Sequence, residues 1–333
     1  MKQFNVAILG ATGAVGREML KILEEYDFPV GELRPLASAR SAGSTVPFKG
    51  QEIPVQEARE DSFEGMDFVL GAVGGGMAKQ FAPHIVKAGA VFVDNSSSFR
   101  LDPDVPLIIP EVNGADAFQN KGIISNPNCS TIITLMAVAA LNEISPIEAM
   151  TACTYQAVSG AGQAGLQELE NQMEAISKGQ PVERKTFPHQ IALNVIPHIG
   201  DVLDNGYTQE EMKMQNEGQK ILHLPDLKVS CTCVRVPVVR SHSISVSCHF
   251  DVPVTVEQVR EAIANAPGCR LVDDLSKKMY PMPLETSDQD IVFVGRIRPD
   301  LTDECGICLW CCGDQVRKGA ATNTIQIAEL LIK

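Results

Sequence analysis

A glycine turn beginning at residue 10 restricts the possible folds more than any other feature of this chain. Residues 4–9 form an apolar strand pattern, Gly10-Ala11-Thr12-Gly13-Ala14-Val15-Gly16 follows, and an amphipathic helix pattern runs from about residue 15 to residue 25. Strand, glycine turn and helix in that order are the context of a dinucleotide-binding fingerprint. The glycines permit a tight turn and let backbone approach a pyrophosphate seated at the helix N-terminus. The spacing is G-x-x-G-x-x-G, not G-x-G-x-x-G, and glycine turns also serve packing alone; the place at the head of a βαβ pattern favours the nucleotide. Alternation continues through a strand pattern at 66–73, Gly74-Gly75-Gly76, a helix at about 77–88 and a strand at 91–94. It predicts a parallel sheet covered by helices on both faces, a doubly wound α/β domain.

The strand pattern at 32–37 runs into Ser38-Ala39-Arg40-Ser41. A site for NAD usually has an acidic residue here, facing the ribose 2′-hydroxyl. This chain has none, and an arginine flanked by serines suits a 2′-phosphate, so NADP is the expected cofactor; an ordinary polar loop is the alternative. Asn95-Ser96-Ser97-Ser98-Phe99-Arg100 lies just past a strand C-terminus, where open parallel sheets bind ligands, and its serines and Arg100 suit a phosphate or carboxylate. A plain surface loop is the competing reading.

The 333 residues leave room for about two domains. Hydrophobic residues at 44% and charged residues at 21% describe a globular chain. Its net charge of −13 argues against nucleic acid or an anionic membrane as a main partner. No apolar run approaches the ~18 residues of a transmembrane helix. No signal segment precedes the first strand pattern, so a cytoplasmic location is expected and the ten cysteines are expected as reduced thiols. Cys305, Cys308, Cys311 and Cys312 imitate a metal-binding spacing, but they sit in a dense apolar run with no second cluster close by. They read as small apolar residues of a buried strand, and no metal is expected. Cys231 and Cys233 alternate like strand residues.

Ser125-Asn126-Pro127-Asn128-Cys129-Ser130-Thr131 stands ahead of an apolar helix pattern at 132–141. Pro127 keeps Asn126 out of the α region, so the helix is expected to start after it, with Asn128 as N-cap and Cys129 in the first turn. The positive end of a helix favours thiolate over thiol, and its N–H groups suit an oxyanion on a carbonyl that the sulfur attacks. A buried core cysteine is the alternative. A second glycine turn, Ser159-Gly160-Ala161-Gly162, joins a strand pattern at 150–158, which carries Gln156, to a helix at about 163–177, and again suits phosphate or a cofactor. Thr208-Gln209-Glu210-Glu211 is a capping box that gives Glu211 a structural task. Glu210 and Lys213 share a helix face, either to meet a ligand or as a solvated ion pair. Patterns at 229–239 and 243–252 predict two antiparallel strands. The odd spacing of Arg235 and His242 would set them on opposite faces of a regular strand, but Pro237 and the turn at Arg240-Ser241 break that regularity.

Taken in order, the segments 10–16, 38–41, 98–100, 125–131, 155–162, 210–213, 235–242 and 318–323 resemble the aspartate-β-semialdehyde dehydrogenase family over essentially the whole chain. The resemblance implies a Rossmann-type NADP domain formed by residues 1–128 plus 315–333. It also implies an α+β catalytic and dimerisation domain at 129–314, like that of glyceraldehyde-3-phosphate dehydrogenase, and a homodimer. It implies NADP-dependent conversion between aspartyl phosphate and aspartate semialdehyde plus inorganic phosphate, through a cysteine thioester, on the route to lysine and diaminopimelate, methionine, threonine and isoleucine. In that family the residue matching Cys129 is the nucleophile and the one matching His242 the acid/base; an imidazolium there would help to hold the thiolate. Gln156 matches a residue that positions substrate and nucleophile, Arg235 the carboxylate ligand and Glu210 the amino-group ligand. Arg100 and Lys213 match the phosphate ligands, assisted by Asn128. Cofactor contacts are implied for Gly10, Thr12, Gly13, Ala14, Val15, Gly16, Ser38, Arg40, Ser41, Ser159, Gly160, Gly162 and Asn323, with Gln315 at the nicotinamide end. The alternatives are an N-acetyl-γ-glutamyl-phosphate reductase, which shares the architecture, and a non-catalytic NADP-binding sensor.

Overall fold

Apolar residues leave both faces of the first strand, β1 (Phe4–Leu9), and this fixes the architecture around it. Val6 and Ile8 enter one core with Met19 and Leu23 of α1 (Ala14–Glu25), whereas Ala7 and Leu9 enter another with Phe81 and Ile85 of α2 (Gly75–Lys87). The structure is a computed structural model that describes residues 2–332; the outermost positions of the expected domain ranges, Met1 and Lys333, lie outside the described residues. The chain forms two units: one runs to Asn128 and resumes at Ala320, and the other is Cys129–Gly319.

In the first unit β2 (Val30–Ala37) is followed by a hairpin, β3 (Thr45–Phe48) and β4 (Gln51–Pro54), then by β5 (Gln56–Glu57), β6 (Phe68–Gly71), β7 (Val91–Asp94), a short helix α3 (Pro110–Asn113) and β8 (Ile123–Ser125). Six strands form a sheet in the order β5-β2-β1-β6-β7-β8, parallel throughout. The order reverses between β1 and β6, the switch point at which such sheets bind ligands. The C-terminal helix, Thr322–Ile332, packs Ile325 and Ile327 into the same core as α1. The N-terminal domain is therefore the doubly wound Rossmann-type domain expected, with β3, β4, β5 and β8 as additional elements.

The second unit is α+β. It contains α4 (Cys129–Asn142), β9 (Ile147–Gln156), α5 (Gly162–Ser177), α6 (Gln209–Ile221), β10 (Lys228–Arg235), β11 (His242–Phe250), α7 (Val256–Asn265), β12 (Cys269–Leu271), α8 (Pro283–Thr286), β13 (Val292–Pro299) and β14 (Gly306–Gly313). Its sheet runs β10-β9-β11-β14-β13-β12. The strands around Arg235 and His242 do run in opposite directions, but they are not partners. β9 lies between them, parallel to β10 and antiparallel to β11. The link from Val236 to Ser241 crosses β9 instead of closing a hairpin. Helix α4 starts at Cys129 and is buried along almost its whole length, as its uninterrupted apolar sequence requires. Cys308, Cys311 and Cys312 lie in β14, and burial pushes the Cys312 thiol up to about 11.

The three glycines of the first turn have different reasons to be glycine. Gly10 has φ +95°, and a Cβ there would fall 2.5 Å from the Ala72 carbonyl oxygen. At Gly16 it would fall 2.3 Å from the Gly10 carbonyl oxygen, whereas at Gly13 the nearest atom is 3.4 Å away. Gly10→Ala and Gly16→Ala are therefore expected to cost at least about 2 kcal/mol, and Gly13→Ala less than about 1 kcal/mol. Denaturant unfolding of the three variants checks this order; a Gly13 variant as unstable as the other two would show that all three are packing glycines.

Candidate active site

The C-terminal end of β9 gathers the polar side chains of the second unit. Parallel pairing sets Arg235 of β10 directly beside Gln156. Antiparallel pairing sets Ser243 of β11 beside Tyr155, so His242 enters at the same edge. The residue after β9, Ala157, then serves both neighbours: its N–H donates to His242 Nδ1 at 3.1 Å, and its carbonyl accepts from Arg235 Nη1 at 2.7 Å. Regular strand parity does not apply to Arg235 and His242 because they sit on strands either side of β9. Cys129, at the start of α4, presents Sγ 3.4 Å from His242 Nε2 and remains partly exposed.

A second chain of contacts reaches the same edge from α6. The capping box forms as expected, with Thr208 Oγ1 accepting from Glu211 N–H and the Glu211 carboxylate accepting from Thr208 N–H. Glu211 also accepts from Cys233 N–H, which fixes α6 on β10. Glu210 and Lys213 pair at 2.8 Å, and Gln156 Nε2 donates to Glu210 at 3.2 Å. Arg235, Gln156, Glu210, Lys213, His242 and Cys129 thus form one connected cluster within this unit.

The electrostatics differ from the sequence expectation at one point. His242 is fully buried, and desolvation, reinforced by the Arg235 charge and opposed by Glu210, pushes its pKa down to about 3. Burial at this position works against the expected imidazolium. Arg235 is also buried, which lowers its pKa, while Cys129 and Glu210 favour its charged form. Its guanidinium lies 5.9 Å from the centre of the Phe187 ring.

Residues near His242 hold it in position. Ser241 has φ +73°, a strained value for a residue with a side chain. Its N–H donates to Gln315 Oε1 at 2.8 Å, and Gln315 Nε2 donates to Ser159 Oγ. Both ends of the Gln315 amide are therefore engaged inside this unit. Arg240 pairs with Asp314 at 2.6 Å and Asp288 at 2.8 Å. The sequence reading gave Asp314 and Arg240 no role; both are ordinary residues locally, and only their long-range pairing marks them. At Gly160 a Cβ would lie 2.8 Å from Arg235 Nη1 and 3.2 Å from His242 Cε1, and at Gly319 it would lie 3.0 Å from Cys129 Cβ. Gly162 has φ +75° and open space around it.

In the first unit Gly10, Thr12, Gly13, Ala14, Val15 and Gly16 lie at the C-terminal edge of β1 and the start of α1. Gly13 is the N-cap, with no side-chain cap and no acidic residue in the first turn. Ser38, Arg40 and Ser41 follow β2 in a turn closed by Ser41 N–H on the Ser38 carbonyl, with Arg40 exposed. Arg100 is buried, with Nε on the Asn126 carbonyl at 2.9 Å and Nη2 on the Asn95 carbonyl at 2.8 Å. Asn323 is fully buried and donates to the Ile108 carbonyl and to Asn126 Oδ1. Arg100 and Asn323 together fix Asn126, two residues before the buried Asn128.

Two family models match the chain. "Semialdehyde dehydrogenase, NAD binding domain" matches residues 5–120, and "Semialdehyde dehydrogenase, dimerisation domain" matches residues 138–318. Fold and site thus define an oxidoreductase that uses a nicotinamide cofactor. Among the relatives, an aspartate-semialdehyde dehydrogenase of Synechocystis sp. is 48% identical over 98% of this chain and 97% of its own. A crystal structure of aspartate semialdehyde dehydrogenase II from Vibrio cholerae, complexed with ASA, has a TM-score of 0.97 and 45% identity over 100% of this chain and 99% of that one. An aspartate semialdehyde dehydrogenase from Candida albicans with NADP has a TM-score of 0.79 and 26% identity over 99% of both chains. The chain belongs to the aspartate-semialdehyde dehydrogenase family.

The contacts at Gly160 generate a test. Gly160→Ala should push aside the tip of Arg235, a flexible group, so the fold should survive while the cluster is displaced. Catalytic efficiency is expected to fall by at least about tenfold, with thermal stability little changed. Unchanged efficiency in a folded Gly160→Ala enzyme would show that the position of Arg235 does not matter.

Proposed function

We propose that the chain catalyses the NADP-dependent interconversion of L-aspartyl-4-phosphate and L-aspartate-4-semialdehyde plus phosphate, through a thioester on Cys129. The observation that carries this reading is the sulfur at the head of a buried helix, within 3.4 Å of the His242 imidazole and in the same cluster as Arg235. A semialdehyde carbonyl presented there meets a nucleophile, an imidazole to act as acid and base, and a cation for its carboxylate. The family's products feed lysine and diaminopimelate, methionine, threonine and isoleucine synthesis, and we place this chain in the same step, in the cytoplasm.

The first unit fits the cofactor. Gly13 is the glycine of the first turn that packing does not demand, which suits close approach of a pyrophosphate to the start of α1. Between residues 38 and 51 the chain has no acidic residue, and the exposed Arg40 suits a 2′-phosphate; the NADP in the Candida albicans relative accords with this. NADP supplies the hydride for reduction and accepts it in the reverse direction. Thr12, Ala14, Val15, Ser38 and Ser41 line the same two turns. We assign Ser159, Gly160, Gly162 and Gln315 to the nicotinamide side, with Gln315 also bracing the residue before His242. Asn323 contributes by holding Asn126.

The remaining roles follow from charge and position. Arg235 takes the substrate carboxylate, which compensates a buried guanidinium whose Nη1 donates to the neutral Ala157 carbonyl. Glu210, near the edge of the cluster, takes the ammonium, and Gln156 orients both. Lys213, Arg100 and Asn128 take the phosphate. The ranges 1–128 plus 315–333 and 129–314 act as cofactor and catalytic parts, and the dimerisation-domain match supports a homodimer.

Two experiments test the assignment. Cys129→Ala should lose several orders of magnitude in turnover while binding NADP as before, since the covalent path is gone; a variant with ordinary turnover would end the nucleophile assignment. Arg40→Ala should reduce the preference for NADP over NAD by about ten- to a hundredfold in efficiency, the worth of a charged phosphate contact. If steady-state kinetics give the variant the full original preference, Arg40 does not read the 2′-phosphate.

A further inference from the structure

We propose that Phe187 is a positioning residue for Arg235, held there by Glu168 and Gln172 of α5, so that the guanidinium is already aimed when a substrate carboxylate arrives. This inference deepens the proposed function and rests on Arg235 being the carboxylate ligand.

The segment 183–196 has no helix or strand of its own apart from a single bridge at Ile196. Two side chains of α5 give it its shape instead. The Glu168 carboxylate is buried and accepts from the N–H groups of Lys185 at 3.0 Å, of Thr186, and of Phe187 at 3.4 Å. One turn further along α5, Gln172 is buried as well. Its Oε1 accepts from Ile191 N–H at 2.9 Å and Ala192 N–H at 3.0 Å. Its Nε2 donates to the Glu183 carbonyl at 2.9 Å and to Glu168 at 3.1 Å. Backbone groups that no helix or sheet satisfies are thus satisfied by a carboxylate and an amide. Burial works against the charge on Glu168, but the N–H groups of Thr186, Lys185 and Phe187 outweigh it and hold its pKa below the usual carboxylate value.

The segment so held makes two contacts with Arg235. At its far end Ile196 and Arg235 exchange both backbone hydrogen bonds, at 2.8 and 2.9 Å, on the edge of β10 that faces away from β9. Nearer its start, Phe187 packs in one apolar cluster with Val158, Leu169, Ile191 and Ile196, and its ring centre lies 5.9 Å from Arg235 Cζ. Gly165 leaves room for that ring, since a Cβ there would fall 3.1 Å from Phe187 Cζ. An aromatic face attracts a cation within about 6 Å, and more strongly where water is excluded. With Nη1 on the Ala157 carbonyl at 2.7 Å, the guanidinium is restrained at one corner and by the ring. An arginine that is free before binding loses rotamer freedom when it grips a carboxylate; one restrained beforehand does not spend affinity on that ordering. The ring carries no charge of its own, so its effect should be confined to the carboxylate end of the substrate.

The test compares two substrates on the full-length enzyme: aspartate semialdehyde, and 3-aminopropanal, the same amino aldehyde without its carboxylate. Phe187→Leu keeps an apolar side chain but removes the ring. It should raise KM for the semialdehyde at least about fivefold with kcat little changed. Its efficiency on 3-aminopropanal, and its KM for NADP and for phosphate, should stay within about twofold of the original. Phe187→Tyr, which keeps the ring, should retain the original preference for the carboxylated substrate. Glu168→Gln turns one carboxylate oxygen into a donor facing N–H groups, and should shift that preference in the same direction as Phe187→Leu. Equal losses on the two substrates in Phe187→Leu would show that the ring only supports the fold, and an unchanged KM would show that Arg235 needs no ring; either result overturns the inference. Should Glu168→Gln fail to fold, the two Phe187 variants decide alone. Arg235→Ala in the same assays separates the two readings. If it loses no more on the semialdehyde than on 3-aminopropanal, Arg235 is not the carboxylate ligand and that part of the proposed function falls. If it does lose more and Phe187→Leu does not, only the inference falls.

Discussion

The place where β9 ends governs the chemistry of the second unit. Because β10 runs parallel to β9 and β11 antiparallel to it, the last residue of β10 and the first of β11 arrive at the same edge as Gln156. The peptide groups of Ala157 then bond to side chains from both neighbours, not to another strand. A one-residue slip in either pairing would turn Arg235 or His242 to the opposite face of the sheet. The cluster is therefore as well defined as the sheet register, and that register is secured by the apolar face packed under α4.

Holding His242 at that edge costs local strain, and buried polar groups compensate for it. Ser241 adopts a left-handed backbone conformation, yet its N–H is bonded to Gln315 and its Oγ to Thr286 Oγ1 at 2.6 Å. One residue earlier, Arg240 is bound to Asp314, a carboxylate with no exposure. Asp314 also accepts from the N–H groups of Asp288, Val316 and Arg317. A buried carboxylate with this many donors is stable in place, and removing any one of them would leave charge uncompensated. The same carboxylate thus links the turn before His242 to the turn that brings Gly319 against Cys129.

Features governed by near neighbours in sequence were legible there. The glycine turn, the start of α4 after Pro127, and the capping box at Thr208 depend on residues within a few positions of each other, and each took the expected form. What escaped depends on distant partners. β8 has three residues and gains its strand character from β7, and the β3–β4 hairpin contains Pro47 and a left-handed Lys49, neither of which signals a strand. The insertion of β9 between β10 and β11 is invisible to periodicity, since all three show the same alternation. The burial of His242 was missed for the same reason. Its Nδ1 accepts from a backbone N–H 85 residues away, and neither that contact nor its complete burial is written in the residues around it.

The overall charge makes the local cations of the site more consequential. A chain with a net charge of −13 repels an anionic substrate such as the one proposed here. Screening limits that repulsion to about 8 Å at physiological ionic strength, so the balance is decided by the groups within a few ångströms of the sulfur. Glu210 already engages Lys213 at 2.8 Å, so that pair presents little net charge until a ligand separates it. Arg235 is different, because it is buried and its direct partner is the neutral Ala157 carbonyl. An imidazolium at His242 would add a second positive charge beside Arg235, and the protein would have to desolvate both. The buried guanidinium of Arg235 already places one positive charge in the cluster, and Cys129 and Glu210 favour that charged form. The charge on the buried Arg235 thus adds to the desolvation that lowers the pKa of His242.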